Sequence, residues 1–275
     1  AKEDKYRILV ISAEPDNSKL FHTAQRVTDE AKKSGHEVYV VKVEGAIISY
    51  DNGYKIFNAD DEVGFAIDND TVAIVRGSVR LKKSYLDLLS QLEKIGVCMV
   101  NSRETVEISA DKYRTYLKLQ DYGLTQPKTV LVPNANTWEE ALESLDSKFP
   151  IIMKTLEGSK GVGVLFIESE RQIESLVQLL YNQNEDVDLL IQEYIKTDGD
   201  IRVIVLGGKV IASMKRDVVE GDFRSNVSQG AKVKEYELTD LELEQCLLAA
   251  KAIDGSWTAV DFIPSKNPKT EPPYI

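Results

Sequence analysis

Residues 151–165 read IIMKTLEGSKGVGVL. An apolar run ends in Lys154, then Gly158, Gly161 and Gly163 punctuate a polar loop, and a second apolar run returns. Glycines let backbone N–H groups approach anionic oxygens with no Cβ in the way. A lysine leaving the first strand adds a fixed positive charge beside them. The order is neither G-x-x-x-x-G-K-[ST] nor G-x-G-x-x-G, and a strand rather than a helix follows, so the Walker and Rossmann phosphate loops are excluded here. Two readings stay open: a phosphate cradle between two strands, or a plain hairpin with permissive glycines.

Working outward, the C-terminal direction carries short strands with short connections. TVLVP precedes the loop; DLLIQEYI and the pair DIRVIVL/KVIASMKR follow it, the pair joined by Gly207–Gly208, a two-residue hairpin signal. Ile173, Leu176, Val177 and Leu180 mark one amphipathic helix, and Leu243, Cys246, Leu247, Ala250 and Ile253 mark another. WTAVDFI, a polar turn over Pro264–Pro273 and a bare PYI close the chain. This part, after about residue 125, reads as antiparallel α+β.

The N-terminal direction reads differently. RILVIS at Arg7–Ser12 is a buried strand, Leu20, Ala24, Val27 and Ala31 recur at helical spacing up to Gly35, and EVYVVKV is a second strand. TVAIVRG at Thr71–Gly77 is the third; a helix with Leu88, Leu89, Leu92 and Ile95 stops at Gly96 before VCMVN, the fourth. Strand–helix–strand alternation predicts a parallel sheet with helices on its faces. Ligand groups then emerge from the carboxyl ends of the strands, where Arg76 and Gly77 sit.

Composition bounds the function. The 275 residues carry 34 Lys+Arg against 45 Asp+Glu, a net charge of −11, with 43% hydrophobic and 29% charged residues. That balance excludes a disordered chain, and the length suits about two compact units or one large α/β unit with a small lobe. No apolar run reaches the about 18 uncharged residues of a membrane span, and the charged start AKEDKYRILVIS is not a signal peptide. Cys98 and Cys246 lie far apart in apolar patterns, as in a reducing compartment, and His22 and His36 are too few for a His-rich metal site. The expectation is a cytoplasmic protein with neither membrane nor nucleic acid as partner.

Three further pieces carry chemistry. Gln192-Glu193-Tyr194-Ile195-Lys196 closes an apolar strand just before Asp200-Ile201-Arg202. Such a strand end can grip an adenine edge and a ribose, or be a hairpin with solvated charges. Lys215-Arg216 followed by Glu220–Asn226 (EGDFRSN) can stabilise transferred phosphate oxygens and a cation, or be an exposed turn. Asp261, between Val260 and Phe262, faces either a polar site or water.

Together MKTLEGSKGVGV, LLIQEYI, DIRVIVLGGKVIASMKR and EGDFRSN resemble, in this order and spacing, the RimK-type ligases of the ATP-grasp superfamily, from about Val72 to Phe262. The resemblance implies an α/β plus α+β chain: an N-terminal Rossmann-like, pre-ATP-grasp domain over 1–102, a small ATP-grasp subdomain with linking helix over 103–190, and a large subdomain over 191–275. It implies an ADP-forming carboxylate–amine ligase working through an acyl phosphate with ATP and Mg2+ (or Mn2+). Its substrates would be an amino acid such as glutamate and a carboxylate acceptor, a peptide or protein C-terminus or a small molecule. A catalytically impaired nucleotide-binding protein is the other reading. By the resemblance Lys112 (in SADKYRT) and Lys154 grip the nucleotide phosphates, and Gly158, Ser159, Gly161 and Gly163 form the flap over them. Gln192, Glu193, Tyr194 and Ile195 match the adenine-contacting strand end, and Asp200 the ribose contact. Arg202, Arg216 and Arg224 match catalytic cations, Ser225 and Asn226 complete their loop, Asp261 matches a Mg2+ ligand, and Arg76 a substrate-carboxylate contact. The flap carries Lys160 where relatives often carry Gln. Relatives also continue past a strand like PYI into a Glu-x-Asn motif that these 275 residues lack, as either a truncation or a protein that handles metal differently would, so weak Mg2+–ATP binding is the expectation. Related ligases commonly assemble, which makes a homo-oligomer an expectation too.

Overall fold

The strand β1 (Arg7–Ser12) is apolar at four successive positions because it is covered on both faces. Leu9 and Ile11 enter one core cluster, Ile8 and Val10 another. A strand buried on both faces belongs at the centre of a parallel sheet, and β1 pairs in parallel with strands on either side. This computed structural model describes residues 5–13, 22–59, 61–76, 83–146, 148–156, 163–183, 187–218 and 232–275. The chain divides into two units, Ala1–Ala110 and Asp111–Ile275.

In the first unit, α1 (His22–Lys33) lays Ala24 and Thr28 on the sheet and leads to β2 (Glu37–Lys42). Three short strands then form an antiparallel meander, β3 (Ala46–Tyr50), β4 (Tyr54–Asn58) and β5 (Phe65–Ile67). The chain returns through β6 (Thr71–Arg76), α2 (Lys83–Ile95), β7 (Cys98–Val100) and α3 (Arg103–Ala110). The parallel sheet has the order β2-β1-β6-β7, as the alternation of elements predicts. The meander corrects the sequence reading, which runs directly from the second strand to Thr71. Its strands have only five, five and three residues, too short for a clear period. The local signal was Asn52-Gly53, both at positive φ, in the loop closing the Tyr50–Tyr54 pair.

The second unit opens with α4 (Lys112–Asp121), whose N-cap Asp111 accepts hydrogen bonds from the Tyr113 and Arg114 N–H groups. Next come β8 (Thr129–Val132), α5 (Trp138–Glu143), β9 (Ile151–Thr155), β10 (Val164–Ile167), α6 (Glu170–Gln183) and β11 (Leu189–Glu193). They form an antiparallel sheet of order β10-β9-β11-β8. Alternate residues Ile151, Met153, Leu189 and Ile191 pack with Ile173, Val177 and Tyr181 of α6 and with α5. The opposite face is thereby left to Lys154, Gln192 and their neighbours.

A second antiparallel sheet follows: β12 (Gly199–Leu206), β13 (Lys209–Asp217), β14 (Val233–Glu235) and, after α7 (Asp240–Ala252), β15 (Trp257–Phe262). Its order is β14-β13-β12-β15. Ile201, Val203, Val205, Val260 and Phe262 face α7 and Leu119 of α4 in one core. Period-two alternation then sends Asp200, Arg202 and Asp261 to the other face. Gly207–Gly208 form the expected two-residue turn, both in the left-handed region. Tyr274 pairs with Ile263 on the far side of β15, and the Ile275 N–H bonds the Thr125 carbonyl at 2.9 Å. No helix among the described residues is long and apolar enough to cross a membrane.

Candidate active site

The expected site residues fall into two groups inside the second unit. The first lies on the sheet β10-β9-β11-β8. Lys154 leaves β9 on the face away from α6, and its ammonium donates to Gln192 Oε1 at 2.7 Å. Lys112, the first residue of α4, donates through Nζ to the carbonyls of Thr155 and Leu156 at 2.8 and 2.9 Å. It is thereby held at the end of the strand carrying Lys154. Desolvation, and then the charge of Lys112, push the Lys154 ammonium down to about 8. A desolvated ammonium beside a second cation is an arrangement that an incoming polyanion stabilises. Gly163 closes this end: Thr155 N–H donates to its carbonyl at 3.1 Å. Its φ is +77°, and a Cβ there would lie 2.6 Å from Thr155 Oγ1.

Glu193 behaves differently from its neighbour. Its carboxylate accepts the Lys128 N–H at 2.8 Å while its own N–H bonds the Lys128 carbonyl at 2.9 Å, so it ties β11 to the entry of β8. Tyr194 meets Phe166 edge to face, with ring centroids 5.0 Å apart, and Ile195 follows half-buried. Sequence reasoning passed over Thr129, which faces Gln192 across the β8–β11 pair and accepts its carboxamide N–H at 2.7 Å. The only local signal for it was a hydroxyl opening an otherwise apolar strand.

The second group lies on the face of the sheet β14-β13-β12-β15 that points away from α7. Arg216 is only 3% exposed. Its guanidinium binds the Asp200 carboxylate through two nitrogens, Nε at 2.9 Å from Oδ1 and Nη2 on Oδ2. It also reaches Asp261 Oδ2 at 3.2 Å. Arg202 makes its own fork with Asp261, at 2.7 and 2.6 Å. The result is an alternating row, Asp200, Arg216, Asp261, Arg202, assembled from three strands. Burial works against the Arg216 charge, but the Asp200 and Asp261 carboxylates outweigh it and hold the guanidinium above its ordinary pKa. Gly199 makes the close pairing possible, because a Cβ there would lie 2.3 Å from the Arg216 carbonyl oxygen.

Asp261, the expected Mg2+ ligand, therefore has both oxygens against guanidinium groups. Among the described residues no three acidic, histidine or cysteine side chains converge as a metal-binding group. One carboxylate amid cations does not suit a protein-only cage. It suits a Mg2+ ion carried on phosphate oxygens, which takes one or two carboxylates and keeps its remaining ligands from phosphate and water. Arg76 belongs to the first unit, at the end of β6 opposite Ser12 of β1, where desolvation lowers its pKa. Gly77, Gly158, Ser159, Lys160, Gly161, Arg224, Ser225 and Asn226 lie outside the described residues.

Comparison with known proteins gives this geometry a context. Residues 109–270 match the family model for the RimK-like ATP-grasp domain. A relative from Pseudoalteromonas translucida (strain TAC 125), named a probable alpha-L-glutamate ligase, is 33% identical over 255 residues, spanning 90% of this chain and 81% of its own. Among solved structures, the macrocyclase MdnC of Microcystis aeruginosa MRC bound with precursor peptide MdnA superposes with a TM-score of 0.68 at 13% identity, covering 96% of this chain and 88% of that one. The ATP-grasp ligase PsnB complexed with minimal precursor, Mg and ADP does so at 0.65 and 19% identity, covering 95% and 85%. The two antiparallel sheets with their lysines and arginines thus sit in the part of the chain that carries the family match, and the chain belongs to the RimK-like ATP-grasp family as an ADP-forming ligase.

Proposed function

We propose that this ligase joins the amino group of glutamate, or a closely similar amino acid, to the carboxyl group of a peptide or protein C-terminus. The observation that carries the reading is the row Asp200, Arg216, Asp261, Arg202, in which two guanidinium groups on the sheet face away from α7, Arg216 buried and Arg202 partly exposed, are held by carboxylates. Carboxylate-held guanidiniums are oriented in advance toward further anionic oxygens, as transfer of a phosphoryl group requires. The relative's name supports glutamate, and the peptide in the MdnC structure supports a peptidic acceptor.

In this reading an acceptor carboxylate oxygen bonds to the γ-phosphorus as the bond from that phosphorus to the β,γ-bridging oxygen breaks, and ADP leaves. The amino nitrogen then bonds to the acyl carbon, phosphate departs with the electron pair, and the amine's proton passes to solvent. Lys112 and Lys154 grip nucleotide phosphates, Gln192 to Ile195 meet the adenine, and Asp200 meets the ribose. Arg202 and Arg216, with Arg224, Ser225 and Asn226 of the following loop, orient the transferring group and the acceptor carboxylate. Asp261 would hold Mg2+, which would supply neutralisation of phosphate charge. The boundaries at 102 and 190 remain part of this reading, as does a cytoplasmic setting, which agrees with Cys98 and Cys246 being free thiols.

An ADP-release screen over the amino acids, with and without peptides ending in a free carboxylate, tests the proposal. Release that requires both glutamate and peptide, with one glutamyl residue found on the peptide by mass spectrometry, is the expected result. Release with free amino acids alone overturns the peptide acceptor, and release with every amino acid except the acidic ones overturns glutamate.

A further inference from the structure

We propose that Thr129 is a positioning residue for Lys154, acting through the Gln192 carboxamide, which its hydroxyl orients. The proposal rests on the reading of Lys154 as a group that grips nucleotide phosphate.

Three hydrogen bonds run in one direction across three strands. Lys154 Nζ donates to Gln192 Oε1 at 2.7 Å, Gln192 Nε2 donates to Thr129 Oγ1 at 2.7 Å, and Thr129 Oγ1 donates to the Pro127 carbonyl at 2.9 Å. An ammonium has only protons to give and a carbonyl only lone pairs, so the polarity is set at both ends. Thr129 must spend its one proton on Pro127, which leaves its oxygen free to accept from the carboxamide NH2. The carboxamide then has to present its oxygen to Lys154. Turned the other way, it would set its NH2 against the ammonium and its oxygen against a hydroxyl whose proton is already committed.

Register makes the relay possible. Gln192 stands opposite Thr129 on one side and Ile152 on the other, with Lys154 two residues along the same face of β9. Thr129 itself is buried, so water is a poor substitute for its oxygen. With the hydroxyl gone, a carboxamide N–H loses its partner in a buried place and the side chain turns to find another. Lys154 then loses its acceptor while the Lys112 charge still repels it.

Thr129→Val keeps the shape and removes the hydroxyl, whereas Thr129→Ser keeps the hydroxyl. The probe is ADP with Mg2+, its dissociation constant measured by calorimetry on the full chain, with thermal unfolding as the check on folding. We expect Thr129→Val to weaken ADP binding about tenfold, the usual effect of disturbing one hydrogen bond to a charged group, and Thr129→Ser to stay within about twofold of the parent. In a Gln192→Met background, where the relay is already cut, Thr129→Val should cost nothing further. Additive losses in that cycle, or unchanged ADP affinity in Thr129→Val, overturn the proposal. If Thr129→Val fails to fold, Thr129→Ala completes the same cycle. Lys154→Met separates the two layers of inference. If it leaves ADP affinity intact, the phosphate-gripping reading fails; if it weakens ADP while Thr129→Val does not, only the relay fails.

Discussion

Lys154 should couple nucleotide binding to proton uptake, and the structure sets the pH at which this shows. Its ordinary pKa of 10.5 is lowered to about 8 by desolvation and by Lys112. The difference corresponds to roughly 3 kcal/mol, at 1.36 kcal/mol per unit, needed to keep the ammonium charged before nucleotide binds. A phosphate oxygen against Nζ relieves that cost and returns the pKa toward its ordinary value. The uptake on binding is then the fraction neutral beforehand: about 0.1 proton at pH 7, about 0.5 at pH 8 and about 0.9 at pH 9. At pH 8 and 9 the ADP phosphates are ionised and add little, whereas at pH 7 the terminal phosphate, with a second pKa of about 6, still contributes about 0.1 proton. Calorimetric titration with ADP in two buffers of different ionisation heat measures the uptake directly. Lys154→Met should abolish its rise with pH. A parent protein whose uptake is flat between pH 7 and 9, or a Lys154→Met variant that keeps the rise, would refute the reasoning. The sign for folding is opposite to that of a paired lysine. Because the folded pKa lies below the unfolded one, the unfolded chain holds more protons between about 8 and 10.5, and the free protein's stability should rise across that window through this group.

The charge row makes a second contrast. Arg216→Met removes the guanidinium fork from the Asp200 carboxylate, whose side chain is 16% exposed, and should destabilise the second unit by about 3 kcal/mol in urea unfolding. Arg202→Met breaks a pair about 40% exposed on both sides and should cost about 1 kcal/mol or less. Arg216→Ala should also lower turnover by about 10² or more, and equal stability losses for the two methionine variants would contradict this account of burial. Away from the site, fully buried Glu242 accepts the Thr239 N–H at 2.9 Å and the Tyr236 hydroxyl at 3.0 Å, completing a capping box at the start of α7. Glu242→Ala should cost about 2–4 kcal/mol, from two stranded donors and a lost cap. The same loss frees Tyr236, now pushed up to about 12 by burial and by the Glu242 carboxylate, to ionise at lower pH, which ultraviolet titration detects.

Much of the architecture was legible because it is local. The doubly buried strand RILVIS, the helix punctuated by Gly35 and the turn at Gly207–Gly208 each declare themselves within a few residues. The order of glycine-loop and strand-end motifs pointed to the family that the comparison establishes. The meander at 46–67 was missed because strands of three to five residues carry too little period, although Asn52-Gly53 marked its first turn. Thr129 was passed over because its significance lies 63 residues away, at Gln192.

The sequence by itself determined which residues bring charge to the ligase and which strands bear them. Tertiary structure alone decided which charges meet. A regular hairpin closed by Gly207–Gly208 would continue the pairing of Val205 with Val210 and set Asp200 opposite Lys215. Instead the register shifts between Ile204 and Val205, Ile211 is left without a cross-strand partner, and Asp200 stands opposite Arg216. Since side chains alternate faces with a period of two, one extra residue turns Arg216 from the core face to the face of Asp200 and sends Lys215 away. No local pattern announces that shift, because a register is settled by the hydrogen bonds and packing of whole strands together.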